Sequence, residues 1–326
     1  MSAEVSDVTL APKPKRVPLK GLRASSFQHP LDRQATENLK VMKGFDWLAA
    51  KFVEYGVERI EYVSHVGGGI RVGPRQMSKH YAMLRECCEI LDVEEPEMYV
   101  MQGGVNAYTS GHNHPFVIIQ TGLLGLMDDE EVMAVIAHEL GHVKCGHMLY
   151  MTMARGIKPL VQMVGAATLG IGAVVGSGVE AALVSWCRRA ELSADRAALL
   201  TMQDTKPCVS MLMKLAGGTS RHASELDAEQ FLNQARAYRE GLDSKMSDRF
   251  YRFLANMGST HPFAVERARC LDEWVKTSEY TDIICGNYIR RDLAPAPAGP
   301  VCPTCSRPTV PGALFCGECG TPLRPH

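Results

Sequence analysis

The pentapeptide His138-Glu139-Leu140-Gly141-His142 constrains this chain more than any other stretch. A chain of 326 residues with 11 His is expected to contain such a pattern by chance only about 0.025 times. Its surroundings read as helix. Asp128 and Glu131 have the spacing of a capping box, and Val132, Val135, Ile136, Leu140 and Val143 mark an apolar face. On a helix His138 and His142 lie one turn apart and direct both imidazoles at a single metal ion, with Glu139 beside the ion and not on it. His147 falls five residues after His142, off that face, and reads as a polar residue at the helix end.

A catalytic zinc takes three protein ligands and keeps one open position, so a third donor is needed. Glu191 is the best candidate. It begins Glu191-Leu192-Ser193-Ala194-Asp195 on a helix expected to run to Met202, and Asp195 follows one turn later, placed to accept an N–H from a ligand histidine. The competing reading makes Arg188, Arg189, Glu191, Asp195 and Arg196 a solvated helix face with ion pairs.

Composition excludes a disordered or fibrous chain: 46% of residues are hydrophobic and 22% charged. The net charge of −1 offers no chain-wide attraction for nucleic acid or an anionic membrane. Seven of the 11 cysteines are scattered without paired spacing, and no apolar leader opens the sequence, so free thiols in the cytoplasm are expected.

Residues 1–28 read as a flexible basic arm, with five basic residues between Lys13 and Arg23. Helices are predicted over Asp32 to Tyr55, Pro74 to Leu91, Asp128 to Met202 and Ala228 to Val275, and short strands over Glu97 to Met101 and Phe116 to Gln120. The catalytic unit then spans 29–285, an α+β domain that is mainly helical with a small β-sheet. A Pro/Ala linker covers 286–300, centred on Asp292 to Pro300. The last segment, 301–326, contains Cys302, Cys305, Cys316 and Cys319 as two C-x-x-C knuckles. That spacing reads as a zinc ribbon holding a structural zinc, with a protein as its partner; only Arg307, Arg324 and Phe315 suit nucleic acid, which is disfavoured.

With these motifs in view the chain resembles the zinc endopeptidases of metallopeptidase family forty-eight, which include HtpX and the CaaX prenyl protease. The likeness runs from about Asp32 to Tyr280. It rests on the His138 to His142 motif, Glu191 to Asp195, Asn106-Ala107-Tyr108, Gly122-Leu123-Leu124 and Ser259-Thr260-His261-Pro262. It implies a gluzincin-type fold with catalytic zinc on His138, His142 and Glu191, and with Glu139 as the base that activates water for attack on a peptide bond. It also implies that His261 positions substrate or transition state, and that Asn106 and Tyr108 lie on an edge strand lining the cleft. Protein or peptide substrates follow. A non-proteolytic scaffold and a ribbon-led adaptor for protein or nucleic acid are the alternatives; a base beside the metal counts against the first and the weak ribbon charge against the second.

Leu160 to Val179 is nearly free of polar side chains. One membrane span here would separate His142 from Glu191, and two need roughly 40 residues where Ile157 to Cys187 supplies 31. The expectation is a buried or surface-apposed helical hairpin, with membrane association as the alternative to a free cytoplasmic protein.

Overall fold

Side-chain alternation in the strand segments decides how the layers stack. The computed structural model describes residues 15–41, 58–112, 114–154, 171–243 and 263–291. Strands β1 (Ile70–Arg71), β2 (Glu97–Met101), β3 (Ala107–Ser110) and β4 (Phe116–Gln120) form one sheet in the order β1-β2-β4-β3. β2 and β4 are parallel and the other pairs antiparallel. Met98, Val100, Val117 and Ile119 face the main core, whereas Tyr99, Phe116 and Ile118 face outward and are covered with help from Tyr62 and Tyr108. Burial on both faces explains why β2 and β4 read as short continuous apolar runs.

Helix α1 is Pro30–Val41 and α2 is Glu58–Gly68; Tyr62 on α2 packs edge-on against Phe116. α3 (Ser78–Leu91) begins later than the expected Pro74, after Met77 in a left-handed conformation. α4 (Thr121–Leu126) leads into α5 (Asp129–Cys145), the helix carrying the histidine motif. The capping box is present: Asp128 accepts from the Glu131 N–H at 3.0 Å and Glu131 accepts from the Asp128 N–H at 2.8 Å. α5 does not bury one face only. Every residue from Glu131 to His142 is buried, so it is the central helix of the domain.

α6 (Ile171–Met202) crosses α5 and is followed by α7 (Thr205–Gly217), α8 (Ala228–Asp243), α9 (Ala264–Trp274) and α10 (Ser278–Ile284). The contact between α5 and α6 depends on Gly141. A Cβ there would lie 2.7 Å from Ala197 Cβ and 2.9 Å from Ala194 Cα, so only glycine permits this approach. Of the expected hairpin, residues 160–170 lie outside the described residues, and the stretch from Ile171 onward is the start of α6. No described helix is long and apolar enough to cross a membrane. The seven cysteines of the body are free thiols.

Two boundaries read from the sequence require correction. Residues 15–28 are packed, not a free arm: Leu19, Leu22 and Phe27 are fully buried, and the Leu19 N–H donates to the Ile90 carbonyl at 2.8 Å. Arg16, whose charge suggested solvent, pairs with Glu130 at 2.5 Å and Glu86 at 2.8 Å. The expected linker also begins too early, because Leu22 and Arg290 form a bridge and the Arg291 N–H donates to the Gly21 carbonyl at 2.8 Å. The proposed linker core and all four terminal cysteines lie outside the described residues.

His29 precedes α1, and its Nδ1 accepts from the Leu31 N–H at 3.2 Å, which requires a neutral ring. Burial, with Arg196 nearby, lowers its pKa to about 4. A base with a lowered folded-state pKa contributes stability in full above its unfolded value of about 6.5, and that contribution is lost as pH falls from 6.5 towards 4. The urea midpoint should therefore drop across this window, and His29→Ser should flatten that component. A pH-independent difference between the two proteins would show that His29 does not cause it.

Candidate metal centre

Close packing of α5 on α6 brings the three expected donors together. His138 Nε2 lies 3.4 Å from one Glu191 carboxylate oxygen and His142 Nε2 lies 3.4 Å from the other. All three residues are buried and converge as a group able to hold a metal ion. These separations are long for hydrogen bonds. The ligand atoms of the three residues lie within 4.8 Å of one another, close enough to share one ion. Charge agrees as well: with both histidines neutral, as metal ligands must be, Glu139, Glu191 and Asp195 against Arg267 leave the buried cluster two negative charges in excess, suited to a divalent cation.

The solvated-face alternative for Glu191 and its neighbours does not hold, since Glu191 and Asp195 are each 1% exposed. Asp195 Oδ1 lies 3.0 Å from His138 Nδ1. Arg267 on α9 grips Asp195 with Nε at 2.8 Å and a terminal nitrogen at 2.6 Å, and its other terminal nitrogen lies 3.3 Å from Glu191. Burial disfavours the Arg267 charge, but the Asp195 and Glu191 carboxylates hold it firmly protonated. At His138 burial lowers the pKa while Asp195 and Glu191 raise it, the balance standing at about 10; at His142 burial prevails and the pKa is lowered.

Glu139 faces the sheet. Thr109 on the inner side of β3 donates to its Oε2 at 2.6 Å. A cavity of about 600 Å³ opens over His138, Glu139 and Glu191, with Asn106, Tyr238 and Arg267 among its other walls. A larger cleft of about 1200 Å³, flanked by Arg59, Glu95 and Lys144, contains none of the three donors and lies apart from the chemistry.

Two sequence expectations change here. Tyr108 does not line the cleft. Strand alternation turns its side chain to the outer face, where its hydroxyl lies 2.6 Å from His65 Nε2, and Thr109 takes the inner position. His147 is not a polar helix-end residue: it is 1% exposed, with Nδ1 3.0 Å from His142 Nδ1. The helical wheel fails because α5 ends at Cys145 and Gly146 adopts φ +70°, a left-handed cap that turns the next residue back under His142. His261 lies outside the described residues. Asp32, Thr109 and Arg267 were not singled out from the sequence; Thr109 was within reach of strand alternation, and Arg267 follows His261-Pro262 by five residues.

Two histidines one turn apart on a helix, with a glutamate from a second helix, define a metallopeptidase of the two-histidine, one-glutamate type. Residues 75–275 match Peptidase family M48, and the chain belongs to that family; it is a protease, and its family uses zinc. It is 38% identical over 270 residues to the plastoglobule-localized metallopeptidase 48, chloroplastic, of Arabidopsis thaliana, covering 81% of this chain and 76% of that protein. It is 29% identical over 144 residues to protease HtpX of Serratia proteamaculans (strain 568), and 28% identical over 144 residues to protease HtpX of Yersinia pestis (strain Pestoides F). Each of these two matches covers 43% of this chain and 46% of the relative.

Proposed function

We propose that this chain is a zinc-dependent endopeptidase in which His138, His142 and Glu191 hold the catalytic zinc and Glu139 is the general base. The placement of two imidazole nitrogens each 3.4 Å from a different Glu191 oxygen carries this reading. Zinc, when bound, supplies a Lewis acid that acidifies water and polarises a carbonyl. Glu139, fixed by Thr109, takes the proton of the attacking water on its carboxylate and delivers it to the leaving amide nitrogen. Asp195 accepts the Nδ1 proton of His138 and so holds Nε2 toward the metal, while Arg267 keeps Asp195 ionised. Among the described strands β3 lies at the edge, and its main chain offers a substrate peptide a place to add as a further strand, with Asn106 just before its start. His261 is assigned to the transition state by the family resemblance alone.

Cys302, Cys305, Cys316 and Cys319 are proposed to hold a second, structural zinc in a ribbon that engages a protein partner. Free thiols support a cytoplasmic location. The name of the Arabidopsis relative, plastoglobule-localized and chloroplastic, favours association with a membrane or lipid surface as a second reading.

The protein as purified should contain two zinc ions per chain and cleave an unstructured polypeptide. A chelator should abolish cleavage and added zinc restore it. Removing everything after Leu293 should lower the zinc content by one per chain and leave short-peptide cleavage intact. Cleavage that survives complete metal removal would overturn the catalytic assignment, and unchanged zinc content after truncation would overturn the ribbon.

A further inference from the structure

The two ligand histidines are supported differently. His138 meets a carboxylate directly, through Asp195 at 3.0 Å. On the Nδ1 side His142 reaches a carboxylate through another histidine: its Nδ1 lies 3.0 Å from His147 Nδ1, and His147 Nε2 lies 3.1 Å from Asp32 Oδ2. Asp32 belongs to α1, more than a hundred residues earlier in the chain. The same Asp32 oxygen accepts from Ser193 Oγ at 2.5 Å and Gln28 Nε2 at 2.9 Å, and its other oxygen accepts from Thr36 Oγ1 at 3.2 Å. His142, His147, Asp32 and Ser193 are each no more than 1% exposed, and the Trp186 ring closes the far side of His147, 5.4 Å between centroids.

Proton inventory then leaves one arrangement. A ligating Nε2 must present its lone pair, so the His142 proton sits on Nδ1 and needs an acceptor. His147 Nδ1 accepts it, which places the His147 proton on Nε2, facing an ionised Asp32 that only accepts. The opposite tautomer of His147 would set two N–H groups against each other at His142 and leave Asp32 facing a lone pair.

We propose that His147 is a positioning residue of the metal centre, relaying the orientation imposed by Asp32 to His142, so that helix α1 is a working part of the zinc site. This rests on the assignment of His142 as a ligand. Polar partners behind a metal-bound histidine are worth about 10–100-fold in metal affinity. Leucine at 147 removes the acceptor, whereas asparagine keeps an oxygen close to the Nδ1 position.

The test uses the full-length chain, with zinc affinity measured by chelator competition. The ion followed is the one that His142→Ala fails to bind. His147→Leu should weaken its binding about 10–100-fold, and His147→Asn should recover part of that loss. Long-range imidazole nitrogen spectra of the intact zinc-loaded protein should show protons on His142 Nδ1 and His147 Nε2, a signature that simple packing does not require. A folded His147→Leu protein that binds zinc as tightly as the intact one, while His142→Ala does not, overturns the relay. If His142→Ala also keeps full affinity, the ligand assignment itself has failed and the proposal falls with it. If His147→Leu does not fold, the spectra decide: a proton on His147 Nδ1 overturns the proposal.

Discussion

Glu139→Gln is expected to lower kcat/KM by about 10²–10⁴-fold, the usual contribution of a positioned general base, with zinc content and fold unchanged. The geometry makes this a clean substitution. Thr109 Oγ1 donates to Glu139 Oε2 at 2.6 Å, and an amide oxygen accepts that hydrogen bond equally well, so the side chain keeps its place. The amide cannot take a proton from water. A loss in kcat at similar KM would place the effect in the chemical step. Turnover equal to that of the intact enzyme would remove Glu139 from the role of base.

Arg267→Met is expected to cost about 3–5 kcal/mol of folding stability, because it leaves buried carboxylates without their cation. The side chains of Arg267 and Asp195 are 7% and 2% exposed, so water cannot replace the lost partner. The double variant Arg267→Met with Asp195→Leu should recover much of the loss, since replacing both charges removes the unpaired ion along with the pair. Urea unfolding of the two single variants and the double variant measures this coupling directly. A single-variant loss below about 1 kcal/mol would show that Asp195 finds another partner.

The cluster of metal-capable side chains is legible in the sequence wherever one helix carries it. His138 and His142 follow from a spacing of four on α5, and Glu191 and Asp195 from the same spacing on α6. The capping box and the strands β2 and β4 were legible for the same reason, being local patterns. What escaped was set by contacts across the fold. Asp32 reaches His147 over 115 positions and Arg267 reaches Asp195 over 72, and no local periodicity records such a meeting. His147 was misjudged because a wheel drawn past Cys145 assumes a helix that Gly146 has already ended. Tyr108 escapes because the resemblance locates the strand, whereas the pleat decides which residue faces Glu139, and here it is Thr109. By its charge the basic segment reads as a solvated leader, although Leu19, Leu22 and Phe27 supply the apolar anchors that hold residues 15–28 down.

The seam that joins Leu22 to Arg290, with Arg291 hydrogen-bonded to Gly21 and paired with Asp92 at 2.7 Å, means that the domain is entered and left at one point. Tension applied at residue 15 would meet Arg16 first, and Arg16 is tied to Glu130 on α5 and to the Met202 carbonyl at the end of α6, so the seam does not shield those helices from it. A pull on the entering segment is therefore felt by the helix that carries His138 and His142, whereas one on Arg291 falls on the seam and on Asp92.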